Sequence, residues 1–180
     1  ALRARIAAFV RDEIIPLEAG HANEDAHGNI TLAALESLRG KVKAAGLWTP
    51  QLPRALGGLG LSMRALAPLY EAMNESIFGP VAFNCAAPDD GNMRVLAQVA
   101  SPEQQARWLV PIADGRVRSA FAMTEPHPGG GSDPTMIRTR AERRGGGGDS
   151  GWVLNGRKWF ITGAGIAQHF IVIARTSDDA

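Results

Sequence analysis

The spacing of apolar residues changes once along this chain, and that change limits the folds open to it. Up to about Gly115 they recur at three- and four-residue steps, and beyond it they alternate with other residues. The first pattern predicts helices that bury one face. The second predicts half-buried strands. Helices followed by strands make an α+β chain, with a helical domain over residues 1–115 and a β-domain over residues 116–180.

Leu2, Ile6, Phe9, Val10, Ile14 and Leu17 predict a first helix that kinks or ends near Pro16. Thr31 is placed to cap a second helix carrying Leu32, Leu35, Leu38, Val42 and Ala45, stopped by Gly46. TPQLPRALGGLG, residues 49–60, reads as a loop. Ser62 caps a third helix bearing Leu66, Leu69, Tyr70, Met73 and Ile77, which kinks at Pro68 or starts later. Residues 88–99 form a fourth. Ser101-Pro102-Glu103-Gln104 opens a fifth as a capping box.

Residues 117–124 read as a strand. In TMIRTRAER, Ile137, Thr139 and Ala141 alternate with Met136, Arg138 and Arg140. Asn155-Gly156, between GWVL and RKWFIT, signals a hairpin, and HFIVIAR adds a strand. The expected topology is an antiparallel meander of four or more strands. It is unfinished at RTSDDA, where an open edge calls for further polypeptide to cover it.

The net charge is +1 with lysines and arginines scattered, which gives no electrostatic footprint for nucleic acid. No apolar run reaches the length of a bilayer span. ALRARIAAFVRDEIIP reads as an amphipathic helix, not a signal peptide. Cys85, the single cysteine, excludes an internal disulfide framework and a multi-cysteine metal site, and no metal is expected. A reducing cytoplasm is the simplest location.

FAMTEPHPGGGSD, residues 121–133, is a strand that breaks into a Gly/Pro loop flanked by hydroxyls. Backbone N–H groups of Gly129, Gly130 and Gly131, with the Ser132 hydroxyl, suit a pyrophosphate. The loop is neither a Walker loop, lacking Gly-Lys-Ser/Thr, nor a Rossmann turn, lacking a following helix. If residues 117–124 and 157–162 are neighbours, Thr124 and Thr162 stand at corresponding ends with Phe160 beside them. Two hydroxyls, free strand-end amides and an aromatic face suit a flat heteroaromatic ring such as a flavin. The spacing also suits two strand-end threonines beside a core aromatic, and by itself slightly favours that reading.

The ordered motifs FAMTEP, GSD and VLNGRKWFITGAG resemble the acyl-CoA dehydrogenases, and the resemblance covers the whole chain. FNCAAPDDGNM and QQARWLVPIADG are similar to the branch acting on longer-chain and hydroxylated acyl-CoAs. The resemblance implies an N-terminal helical domain, part of an antiparallel β-domain, and a C-terminal helical domain absent from this chain. It implies FAD-dependent α,β-dehydrogenation of a fatty acyl-CoA thioester in fatty-acid oxidation. Electron-transfer flavoprotein or a similar acceptor, and a homodimer or homotetramer, are implied partners. In a eukaryote the location would be the mitochondrial matrix or the peroxisome.

The implied site follows the motifs. Phe121, Met123 and Thr124 line the isoalloxazine, and Gly131 and Ser132 serve the pyrophosphate side, with Ser132 also touching the thioester chain. Phe160, Ile161 and Thr162 flank the ring, with Thr162 near N5. Two features depart from the family pattern. Phe160 stands where Trp is usual, with Trp159 one residue earlier. Five residues, not three, separate Pro126 from Ser132. The family's base is a glutamate in the C-terminal domain, so no catalytic residue is expected here. Glu125 and Asp133 read as braces of the loop. The same architecture also carries flavin monooxygenases and nitroalkane oxidases, and a shortened relative can act as a non-catalytic binding module.

Overall fold

The structure, a computed structural model, describes residues 1–131, 133–145 and 151–177. The chain divides into two compact units, Ala1–Arg116 and Val117–Ala180.

The first unit is helical. Its main helices are α1 (Leu2–Phe9), α3 (Leu32–Ala44), α4 (Met63–Met73) and α6 (Asp89–Val99). Shorter turns of helix are α2 (Ile15–Glu18), α5 (Gly79–Ala82), α7 (Pro102–Gln104) and α8 (Val110–Ala113). Its core contains Ile6, Val10, Ile14, Leu38, Val42, Leu66, Leu69, Met73, Phe78 and Phe83. The predicted faces are buried or half-buried with two exceptions. Leu32 is 70% and Ile77 69% exposed, because each lies at or beyond the end of its helix.

The expected kink at Pro16 takes a particular form. A π turn, Val10–Ile14, joins α1 to α2, and the Ile15 N–H reaches back five residues to the Val10 carbonyl. A second π turn, Gln105–Leu109, precedes Pro111, with Val110 bonded to Gln105 in the same way. A proline ring clashes with the carbonyl four residues earlier and brings no N–H. Widening the preceding turn by one residue absorbs both problems without ending the helix. α4 carries Pro68 inside it, on the exposed side, and starts at Ser62, whose hydroxyl accepts from Ala65 N–H. The Ser101 capping box is present, both bonds included. Thr31 occupies the N-cap of α3 without a side-chain cap bond.

α3 ends in a Schellman turn. Gly46 N–H donates to Lys43 and Leu47 N–H to Val42, with Gly46 at φ +65°. A side chain is strained in that conformation, so Gly46→Ala should lower stability by about 1 kcal/mol, read as a lowered thermal midpoint. An unchanged midpoint would mean that the turn tolerates a β-carbon.

Among its described residues the second unit has four strands, β1 (Ser119–Ala122), β2 (Arg140–Arg144), β3 (Gly151–Asn155) and β4 (His169–Val172). They do not form the expected meander. β1 pairs with β4 in parallel, and β2 pairs with β3 antiparallel. The hairpin therefore joins β2 to β3, and Asn155-Gly156 is not its turn. RKWFIT is not a strand. Main-chain bonds from Arg175 to Thr139 and from Ala141 to Arg175 tie the chain after β4 to the start of β2. Ile137 and Thr139 are buried while Met136 and Arg138 are exposed, as the alternation predicts, although only residues from Arg140 on are strand. Among the described residues no helix is long and apolar enough to cross a membrane.

Candidate functional site

β1 stops at Ala122, and the chain turns into the Gly/Pro loop at a buried carboxylate. Glu125 is 4% exposed. Its Oε1 accepts from Thr139 N–H at 2.8 Å, from the Thr139 hydroxyl, and from Lys158 Nζ at 2.9 Å. Its Oε2 accepts from Arg138 N–H at 2.7 Å. Burial by itself would raise the proton affinity of this group. The hydrogen bonds from Thr139, Lys158 and the Arg138 and Thr139 amides outweigh it and hold the carboxyl down at about 2.

Lys158 also donates to the Met123 carbonyl at 2.8 Å, so one ammonium clamps the 157–160 segment to the end of β1. Next to it, Trp159 N–H donates to the Thr124 carbonyl. The sequence assigns neither Lys158 nor Thr139 to the site, although Lys158 stands inside the motif VLNGRKWFITGAG. The available signal is a lone lysine heading the apolar run WFIT, since a carboxylate buried elsewhere in the fold needs a cation and donors.

The glycines around this point are fixed by packing. A β-carbon at Gly156 would stand 2.6 Å from the Thr139 Cα and Cβ. One at Gly129 would stand 2.5 Å from the Glu125 carboxylate, and one at Gly130 2.6 Å from the Asp133 carbonyl. Gly156 is therefore required by close approach, not by a hairpin turn. Gly131 closes the loop instead, accepting from Glu125 N–H at φ +58°. The Gly129 amide is taken up inside the loop, by the Pro126 carbonyl.

Asp133 is occupied as well. Its Oδ1 accepts from the Thr135 amide and hydroxyl, which lowers its proton affinity and caps the 3₁₀ turn Pro134–Met136. Both loop carboxylates are thus braces.

The remaining sequence-predicted residues spread along β1. Phe121 is 36% exposed, and Met123 and Thr124 are half-buried. Among the described residues, the Met123 and Thr124 amides donate to no backbone oxygen. Phe160 is 82% exposed at φ +51°, and its ring lies 4.5 Å from that of Trp159. Left-handed backbone is unfavourable for a bulky residue, so the surrounding contacts hold it there. Ile161 is half-buried and Thr162 exposed, at the start of a turn. Thr162 does not face Thr124. Trp159 does, and a β-carbon at Gly163 would come 4.0 Å from the Ser119 carbonyl. The 159–163 segment therefore runs back along β1, which puts Thr162 toward the strand's start. Ser132 lies outside the described residues.

In the helical unit, Cys85 is a packed thiol. It is buried and donates to Gln51 Oε1 at 3.1 Å, and burial pushes its proton affinity up. Asp90, in the first turn of α6, accepts from Tyr70 OH and from Arg94 Nε. Trp48 is only half-buried, with its indole N–H on the Ala113 carbonyl and Lys43 over its ring.

Residues 1–116 match the family model of the acyl-CoA dehydrogenase N-terminal domain, and residues 120–180 match that of the acyl-CoA dehydrogenase middle domain. The chain is 38% identical to the acyl-CoA dehydrogenase FadE2 of Mycobacterium tuberculosis, over 99% of its own length and 44% of that protein. A solved structure from Mycobacterium abscessus, described as an acyl-CoA dehydrogenase, matches with a TM-score of 0.85 at 39% identity, over 99% of this chain and 46% of that one. A glutaryl-CoA dehydrogenase of Mycobacterium smegmatis, solved in complex with FADH2, matches with a TM-score of 0.69 at 25% identity, over 98% and 42%. The chain spans less than half the length of each of these three proteins.

Proposed function

This chain belongs to the acyl-CoA dehydrogenase family, and from that premise we propose that it forms part of an FAD-dependent enzyme desaturating a fatty acyl-CoA thioester. Its share of the enzyme is the N-terminal helical domain and the first strands of the middle domain. The observation that supports this reading is the end of β1. There the Met123 and Thr124 amides have no backbone acceptor among the described residues, in the same unit as the exposed ring of Phe160, whose backbone is left-handed. Free donors suit the polar edge of a flavin, and a bare aromatic suits its flat face.

When bound, FAD supplies a hydride acceptor for the substrate β-carbon. The chain's own residues bind and orient. Met123 and Thr124 offer N–H groups, and Thr124 a hydroxyl, to the ring edge. Phe121, Phe160 and Ile161 offer apolar surface, and Thr162 a further hydroxyl. Gly131 and Ser132 belong to the pyrophosphate and thioester side. The Lys158 clamp fixes the spacing of the two segments that carry these groups.

Neither Glu125 nor Asp133 is the base that removes the α-proton. A base working near neutral pH needs its proton affinity raised, and theirs is lowered by donors. The base in this reading is a glutamate outside residues 1–180. Electron-transfer flavoprotein as acceptor, assembly as a homodimer or homotetramer, and a cytoplasmic, mitochondrial or peroxisomal setting belong to the same proposal.

Thr124→Val should weaken FAD binding in the full protein by roughly tenfold and shift the visible flavin band, as expected for a lost hydrogen bond. Thr162→Val should shift the band with a smaller loss. Titration followed by flavin absorbance decides. Wild-type affinity and spectrum in both variants would remove these threonines from the site.

A further inference from the structure

Asn155-Gly156 does not turn a hairpin. Asn155 ends β3 opposite Arg140, and Gly156 lies just beyond the strand. Both residues are exposed. The chain has six asparagines, and the other five are followed by Glu24, Ile30, Glu75, Cys85 and Met93. Only Gly156 presents its backbone nitrogen to the preceding asparagine with no side chain of its own in the way.

The asparagine side chains differ in a second respect. Asn23 donates its Nδ2 to the Leu17 carbonyl, Asn29 to Asp25, Asn74 to the Tyr70 carbonyl and Asn84 to the Ile112 carbonyl. Asn92 is buried and engaged. Among the described residues the Asn155 side-chain amide makes no hydrogen bond. The Gly156 N–H donates to no backbone oxygen among them outside the β2–β3 ladder. An electrophilic amide carbon and the nitrogen next to it are therefore both untied at an exposed strand end.

We propose that Asn155 is a site of spontaneous deamidation, and that its conversion loosens the buried clamp on Glu125. The Gly156 backbone nitrogen gives its proton to hydroxide and attacks the Asn155 side-chain carbonyl carbon. A carbon–nitrogen bond forms there, and the bond to the side-chain nitrogen breaks. That nitrogen takes a proton from water and leaves as ammonia, which returns the hydroxide. Water then opens the five-membered imide. Attack at the side-chain carbonyl gives aspartate, and attack at the main-chain carbonyl gives isoaspartate. Each conversion consumes one water and releases one ammonia, and nothing is oxidised or reduced.

Isoaspartate lengthens the main chain by one carbon between residues 155 and 156. The fold has no space for it, since a β-carbon on Gly156 would already stand 2.6 Å from the Thr139 Cα and Cβ. Thr139 supplies Glu125 with an amide and a hydroxyl, and Lys158, two residues past Gly156, supplies its cation. Displacing Gly156 therefore disturbs both sets of donors, and with them the Lys158 bond to the Met123 carbonyl. A slow chemical change at the surface is coupled in this way to the buried contact that shapes the end of β1. That this end serves a flavin rests on the proposed function, while the modification site stands without it.

The test is peptide mapping by mass spectrometry of the full-length protein, aged at neutral and at alkaline pH. Aspartate and isoaspartate should accumulate at Asn155 roughly tenfold faster than at any other asparagine. The rate should rise with pH, because the attacking nitrogen must first lose its proton. Asn155→Gln should stop the conversion, since the longer side chain would have to close a six-membered imide. The replaced side chain is exposed and has no partner, so the fold is kept. Hydrogen exchange at the Arg138 and Thr139 amides should quicken roughly tenfold in the converted protein and stay at its starting rate in aged Asn155→Gln.

An Asn155 that keeps its amide, or that converts only after unfolding in urea, would overturn the site. Conversion at Asn155 with unchanged exchange at Arg138 and Thr139 would overturn its link to the clamp. Flavin absorbance of the protein before ageing reports separately on the end of β1. A failure to bind flavin there, with conversion and exchange as expected, tells against the flavin reading alone.

Discussion

Replacing Lys158 with methionine is expected to destabilise the Val117–Ala180 unit by about 3 kcal/mol, because it strands a buried carboxylate. Lys158 and Glu125 are 12% and 4% exposed at 2.9 Å, so water cannot take over the cation's role. The substitution keeps most of the apolar stem and removes the charge. It also frees the Met123 carbonyl, the second anchor of the clamp. The sensitive reporters are the Arg138 and Thr139 amides, which donate to the same carboxylate. Their hydrogen exchange should accelerate roughly a hundredfold in Lys158→Met. The double variant Lys158→Met/Glu125→Gln should recover part of that loss, since a neutral amide no longer needs the cation. Unchanged exchange in the single variant would show that the ion pair contributes nothing net.

Acid should weaken the same unit through the same group. Glu125 is held at about 2, below its ordinary 4.5, so the folded state binds its proton less readily than the unfolded chain. The resulting stabilisation is fully present above the unfolded value and is lost as pH falls from about 4.5 through 2. Its size is about 3 kcal/mol, from roughly 1.4 kcal/mol per tenfold change in proton affinity. Glu125→Gln should therefore unfold at lower urea than the wild type at pH 6, with the gap closing toward pH 2. Asp133 moves in the same direction, so some acid sensitivity should survive in the variant. Parallel curves at both pH values would mean that Glu125 does not titrate as its hydrogen bonds require.

Both expectations rest on contacts that no short stretch of sequence displays. Glu125 meets Thr139 fourteen residues later and Lys158 thirty-three residues later. TEP and KWF announce a loop and an aromatic run, but not that one side chain closes on the other. Gly156 shows the same limit. Asn-Gly is the residue pair of a tight hairpin, yet here the glycine is needed because Thr139 packs against it. A glycine kept for space and a glycine kept for φ look alike in a sequence.

Local decisions were legible, because their causes lie within a few residues. The Ser62 and Ser101 caps, the stop at Gly46, the kink at Pro16 and the burial of Ile137 and Thr139 against exposed Met136 and Arg138 all follow from neighbouring side chains and backbone sterics. The change from a helical to an alternating period put the helices before the strands, and the motif order pointed to the family. Only the tertiary structure decided that β1 takes β4 as a parallel neighbour, that Trp159 and not Thr162 faces Thr124, and that Asn155-Gly156 ends a strand instead of turning it. Side-chain periodicity specifies which face of a strand is buried but says nothing of which strand lies beside it. That choice is made by hydrogen bonds closing over long loops, while the Lys158–Glu125 pair holds the 157–160 segment to the end of β1.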